Sequence, residues 1–190
     1  MARRNGARRG LTTVLAVGAF VFASATGVAA GASGPARADF AGQARELGLT
    51  GAQAQGLQQR VDSYLSSTGG TQVSVNRILI GDSGEIVLTL PGEKTVREAS
   101  APRKPLVELC PGNTMCAWKG TWYEGDKISM WACYNFRIPW LQNGSWINNQ
   151  SKGTVANFLD DNGVSQWHDA GAFSQDPDAP WYWVHWIKNC

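Results

Sequence analysis

The chain has 190 residues and a formal charge of +2, but five arginines before residue 39 carry that excess. Without them 12 basic side chains stand against 15 acidic ones, a net of −3. There is then no basic stripe to neutralise phosphates and no later run of like charge, so neither nucleic acid nor a membrane surface is an expected partner. The length allows one or two domains.

Residues 1–38 have the pattern of an export signal. Arg3, Arg4, Arg8 and Arg9 form a positive start, and Leu11 to Val28 is apolar and rich in small residues. Two cleavage sites fit, one after Ala30 and one after Ala38; the second leaves Asp39 at the head of an acidic chain. The mature protein is therefore expected to be secreted and extracellular, with no membrane segment once the signal is removed.

Residues 39–71 read as helical. Thr50 and Gln53 have capping-box spacing. Leu57, Val61, Tyr64 and Leu65 make one apolar stripe, and Gly69-Gly70 stops it. Two strand-like runs follow, 72–80 and 85–90. In the first, Val73 and Val75 change phase to Ile78 and Ile80, which predicts a bulge near Asn76. Gly81-Asp82-Ser83-Gly84 reads as the turn between them. Its letters resemble those around a protease serine, but both histidines, His168 and His185, come later in the chain, and no triad assembles. Residues 39–90 thus form a helix–hairpin segment that leans on the next domain or serves as a propeptide. Residues 91–105, with three prolines and six charges, have linker composition.

From residue 106 to 190 the character changes. All nine tryptophans and all four cysteines lie here, among many turn residues. Candidate strands are 106–109, 115–119, 127–132, 154–159, 164–168 and 181–187. Short strands with turns between them predict a sandwich or Greek-key domain. An even cysteine count in a small exported domain implies disulfides. Of three possible pairings, spacing favours Cys110–Cys116 as a local clip and Cys133–Cys190 as a long closure, worth about 2 and about 4 kcal/mol by loop entropy. The spacing does not fit a zinc site.

The run Cys110-Pro-Gly-Asn-Thr-Met-Cys116, then Trp118, then Gly125 seven residues on, resembles the opening of peptidase inhibitor family I36. Gly153-Thr154-Val155-Ala156-Asn157 is similar to that family's Ser-Ser-Val-x-Asn. The segment Gly69 to Ile78 and the helix before it also resemble the region upstream of this domain in family members. The resemblance implies a βγ-crystallin-like fold and a secreted inhibitor of metalloproteases. It covers about 85 residues well. Two departures stand out. The family clamps its reactive loop with a second close cysteine pair, which is missing here. The window matching a crystallin-type calcium motif, Asn149 to Thr154, has Gln150 at a carboxylate position and has gained Lys152, so no tight calcium binding is expected.

The best binding loop by composition is 135–151, with Phe136, Ile138, Pro139, Trp140, Leu141 and Trp146 among turn residues. A rigid extended loop with apolar anchors suits a protease inhibitor. Trp181, Trp183 and His185 alternate with Tyr182, Val184 and Trp186, so one face of this run is expected to be exposed, where it would suit sugar rings or a protein. Asp160-Asp161-Asn162-Gly163 reads as a hairpin turn. No nucleophile–base pair or metal-ligand set assembles, so no enzyme, metal or cofactor is expected. The first reading is a secreted protease-binding inhibitor. The alternatives are a cell-wall or polysaccharide-binding module using exposed tryptophans, and a crystallin-like secreted toxin.

Overall fold

The computed structural model describes residues 39–99 and 109–190. The expected export signal, residues 100–105 of the expected linker and all but the last residue of the expected strand at 106–109 lie outside these.

The first element is α1 (Phe40–Glu46), capped by the Asp39 carboxylate. Next comes α2 (Gly51–Thr68), where Thr50 and Gln53 form the expected reciprocal capping box. Leu57, Val61 and Tyr64 are its buried face, and Gly69, at a φ of 74°, ends it. Strands β1 (Thr71–Ser74), β2 (Arg77–Ile80) and β3 (Gly84–Val87) follow. The run 72–80 is therefore not one bulged strand. Its change of phase is a turn at Val75–Asn76, with a register slip beside it between Gln72 and Ser74. Asn76 fixes that turn by donating its amide to the carbonyls of Leu88 and Arg97.

The remaining strands are β4 (Thr114–Trp118), β5 (Lys127–Met130), β6 (Asn135–Arg137), β7 (Asn143–Asn149), β8 (Asn157–Leu159), β9 (Ser165–His168), β10 (Ser174–Pro180) and β11 (Trp186–Lys188). Two antiparallel sheets result, one ordered β1-β2-β3-β5-β4-β7-β10 and one ordered β6-β11-β8-β9. The molecule is mainly β, as expected. The order has an internal logic. In the four-strand unit β4–β7 the fourth strand lies beside the first, as in a Greek key, but the third, β6, crosses to the other sheet. The unit β8–β11 repeats this, and its third strand, β10, crosses back. Each unit thus lends one strand to its partner's sheet.

The stretch from Trp118 to Gly125 forms the hairpin that joins β4 and β5. Lys119 N–H donates to Asp126 O and Gly120 N–H to Glu124 O, both at 2.9 Å. Gly125 sits at a φ of 83°, a conformation glycine adopts without cost. Ser145 on β7 holds the folded hairpin, donating to Gly120 O and accepting from Tyr123 N–H.

Residues directly opposite one another in paired strands share a face. Across the large sheet one such row runs Ile78, Ile86, Ile128, Ala117, Trp146, Asp176. Its first five members are buried and face the core. Across the small sheet the corresponding row is Phe136, Ile187, Phe158, Trp167. The two rows enclose one hydrophobic core, and α2 adds Leu57, Val61 and Tyr64 to it. Residues 39–90 therefore share a sheet and a core with the tryptophan-rich part, and β3 is bonded directly to β5.

Both disulfides are formed, Cys110–Cys116 and Cys133–Cys190. The first is buried on the outer face of the large sheet with Trp118, Ile147 and Tyr123. The second is exposed and joins the chain just after β5 to the chain just after β11, one strand from each sheet.

Candidate functional site

The stretch 135–151 is not a long exposed loop. It contains β6 and β7, and β7 lies inside the large sheet between β4 and β10. Phe136, Ile138, Trp140 and Trp146 are buried in the core, Pro139 is half-buried, and Leu141 alone of the six is exposed. The reason is pairing on both sides. An interior strand faces the opposing sheet with every second side chain, and Trp146 is one of those. Trp140 is held by its indole N–H, which donates to the Tyr64 hydroxyl at 2.8 Å. The expected anchors therefore serve the fold.

The run 181–187 is not a continuous strand either. Trp181–Trp183 form a 3-10 turn, and β11 begins at Trp186. Trp181 is fully buried and donates its indole N–H to Trp118 O at 2.8 Å. Gly144 makes room for this: a side-chain carbon there would collide with the Trp181 indole and the Trp118 carbonyl.

The structure instead gathers aromatic residues at the open side of the sandwich. There β10 is the last strand of the large sheet and β9 the last of the small one. Between them lies a cleft of about 300 Å³ lined chiefly by Trp146, Phe158, Trp167, Asp176, Trp181 and Trp183. The two core rows end here, one on Asp176 and the other on Trp167. Trp146, Phe158 and Trp181 form a buried floor. Phe158 stacks on Trp181 with 11° between ring planes and meets Trp167 at 4.9 Å between centroids. Trp167 touches Trp146 as well, at 5.8 Å, yet remains 46% exposed. Its orientation is thus fixed by packing while much of its surface faces solvent.

The cleft has one carboxylate. Asp176 accepts a hydrogen bond from its own strand, Asp178 N–H at 2.9 Å, and has no ion-pair partner among the described residues. Its charge reaches the neighbouring hairpin. The Tyr123 phenol is pushed above its ordinary pKa, first by burial and then by Asp176.

The other singled-out residues have local roles. Asp160 caps the β8–β9 turn, accepting from the N–H groups of Asn162 and Val164. Its carboxyl is held below the usual range, first by the Val164 N–H. His168 bonds the Asp169 carbonyl through Nδ1. In the window 149–154, Asn149 donates its side-chain amide to Cys110 O and Gln150 donates to Asn189 O.

No family model, no curated protein and no solved structure matches this chain. The site therefore rests on its own geometry. Three of its members, Phe158, Trp167 and Asp176, were not singled out from the sequence. Phe158 lay inside the predicted strand 154–159. Trp167 lay in a predicted strand, and the sign that its strand is an edge was absent. Asp176 lies in Ser-Gln-Asp-Pro-Asp-Ala-Pro, a composition that reads as loop.

Proposed function

We propose that this disulfide-stabilised β protein is an extracellular binding module that holds a saccharide ring in the cleft between β9 and β10. The observation that carries this reading is Trp167, half-exposed yet locked against Phe158 and Trp146. A ring held rigid by neighbours gives a flat apolar platform with little ordering cost on binding. The cleft volume is at the lower end for small-ligand pockets, and its lining is apolar with a single charged group, as such pockets commonly are. Two disulfides in a compact β domain fit an oxidising compartment. Among the described residues no helix is long and apolar enough to cross a membrane.

The inhibitor reading rests on the sequence resemblance alone. Of its six loop residues only Leu141 is exposed, and a contact loop needs a buried-on-binding anchor cluster. A protease panel and a polysaccharide pull-down run in parallel separate the two readings.

The decisive variant is Trp167→Ala. It should abolish retention on polysaccharide, or weaken a soluble oligosaccharide by tenfold or more, a change of about 1.4 kcal/mol. Thermal unfolding run alongside should still show a cooperative transition. Unchanged retention of the folded variant would remove the cleft from the reading.

A further inference from the structure

We infer that the cleft selects sugars carrying a free ammonium group, that is, amino sugars without an acyl group on nitrogen. The inference rests on the saccharide reading and names its substrate class. It comes from how the inner row of the large sheet ends. Five consecutive members, Ile78 through Trp146, are buried beneath the opposing layer, and the sixth is Asp176. A carboxylate in the core-facing register is expensive unless it meets water or a cation. Here it lines the mouth of an aromatic cleft, half-buried, opposite Trp167.

The pairing around Asp176 is incomplete in one direction only. Asp178 N–H serves one oxygen. Asp178 itself is engaged by the Asn143 amide at 2.8 Å. No lysine or arginine lines the cleft, so nothing in it repels a cation. Indole faces attract cations through the ring quadrupole, which adds to the carboxylate's pull rather than opposing it. The chain beyond residue 38 is also net acidic, with 15 acidic and 12 basic side chains, so the long-range field favours a polycation. A neutral sugar could stack on Trp167 and accept Asp176 as a hydrogen-bond acceptor. Only a protonated amine would use the ring faces and the carboxylate charge together. The exposed Trp167 and the half-buried Trp183 both line the cleft, and extended indole faces suit a ring more than a bare alkylammonium.

The test is isothermal calorimetry on the intact chain with glucosamine, N-acetylglucosamine and glucose oligomers of equal length and linkage. A lysine-rich peptide forms the fourth arm. The pH is set below the amine's pKa and above that of a carboxylate. The glucosamine oligomer should bind about tenfold or more tighter than its acetylated counterpart, the scale of one charge-assisted hydrogen bond. Asp176→Asn should erase that preference, bringing the glucosamine oligomer down to the level of the neutral sugars, while thermal unfolding stays cooperative. Equal binding of all three sugars, unchanged in Asp176→Asn, would overturn the selectivity and leave the saccharide reading standing. Binding of no sugar would overturn both. Tighter binding of the peptide than of the glucosamine oligomer would overturn the sugar assignment and make the cleft a reader of basic polypeptides.

Discussion

Asp126 is fully buried, and its two oxygens accept four hydrogen bonds. These come from Arg60, the Tyr64 hydroxyl, and the N–H and hydroxyl of Thr89. Two of those donors belong to α2, and the other pair to Thr89 just after β3, so one side chain of the tryptophan-rich half gathers the upstream half around itself. Tyr64 extends the chain of bonds by accepting from the Trp140 indole. Burial, and after it the Asp126 charge, drives the Tyr64 phenol well above its ordinary pKa, so it keeps the proton it donates. Removing the carboxylate would leave the Thr89 N–H and the Tyr64 hydroxyl without partners in a dry site. Asp126→Ala should therefore cost about 3 kcal/mol in denaturant unfolding, set by unpaired buried donors and partly offset because Arg60 can turn to water. A loss of about 0.5 kcal/mol or less, the level of an ordinary surface change, would mean that the network is not a keystone of the fold. None of this could be read from the sequence. Trp140 and Pro139 stand among turn residues, which gives the bulk of the side chain but not its partner, and Tyr64 lies 76 positions upstream. Local signals fared better: the Thr50 and Gln53 capping box is set by three residues' spacing and formed as expected.

Strands showed the same division between local and distant causes. The strands β4, β5 and β8 announced themselves through short apolar runs, and β9 through the turn residues before it. The strand β7, Asn-Gly-Ser-Trp-Ile-Asn-Asn, did not, although it is paired on both sides within the large sheet. Its polar residues are buried and used: Ser145 clamps the hairpin, and Asn148 donates to the buried Asp169 and to Thr154 O. Composition records polarity, not whether a partner waits in the fold. The strand β10 holds two prolines, which an edge strand tolerates because one side needs no N–H donors. Between the sheets the one covalent tie among the described residues is Cys133–Cys190, spanning 57 positions. Loop entropy makes it worth about 4 kcal/mol. Asn189 guards the same corner, donating to Met130 O and accepting from Tyr134 N–H, so the paired Cys133→Ser, Cys190→Ser variant should stay folded with a lower denaturation midpoint. Exposure also sets the order of reduction. Under mild reductant, alkylation followed by mass spectrometry should find label on Cys133 and Cys190 first, since Cys110 and Cys116 are buried. Label arriving first on Cys110 and Cys116 would mean that the sheet face covering them opens more readily than the corner.

At the scale of the whole molecule, the division suggested by composition does not match the division of the core. Charged, proline-rich residues from 91 onward resemble a boundary, yet the described chain from 39 to 190 falls in one compact unit. Cutting the molecule there would uncover the β5 edge that β3 now pairs, a row of unmet N–H and C=O groups beside Ile128. It would also strip Asp126 of all four donors and Trp140 of the Tyr64 hydroxyl. Leu57, Val61, Ile78 and Ile86, all buried, would leave the core with the same cut. Each fully buried aliphatic side chain is worth about 1.5–3 kcal/mol, so these four alone match the whole stability of an ordinary domain. Residues 106–190 made alone should therefore fail to reach a native state even with both disulfides formed. The expected signs are weak near-ultraviolet circular dichroism from the tryptophans, dye binding to exposed apolar surface, and no cooperative thermal transition. A different result is expected when the chain is made whole and then nicked between 99 and 109. No disulfide crosses that point, so the two pieces are joined only by the sheet and the core. They should nevertheless co-elute in gel filtration as one species and part only in denaturant. A cooperative, native-like 106–190 fragment, or nicked pieces that separate in plain buffer, would restore residues 39–90 to the status of a removable propeptide.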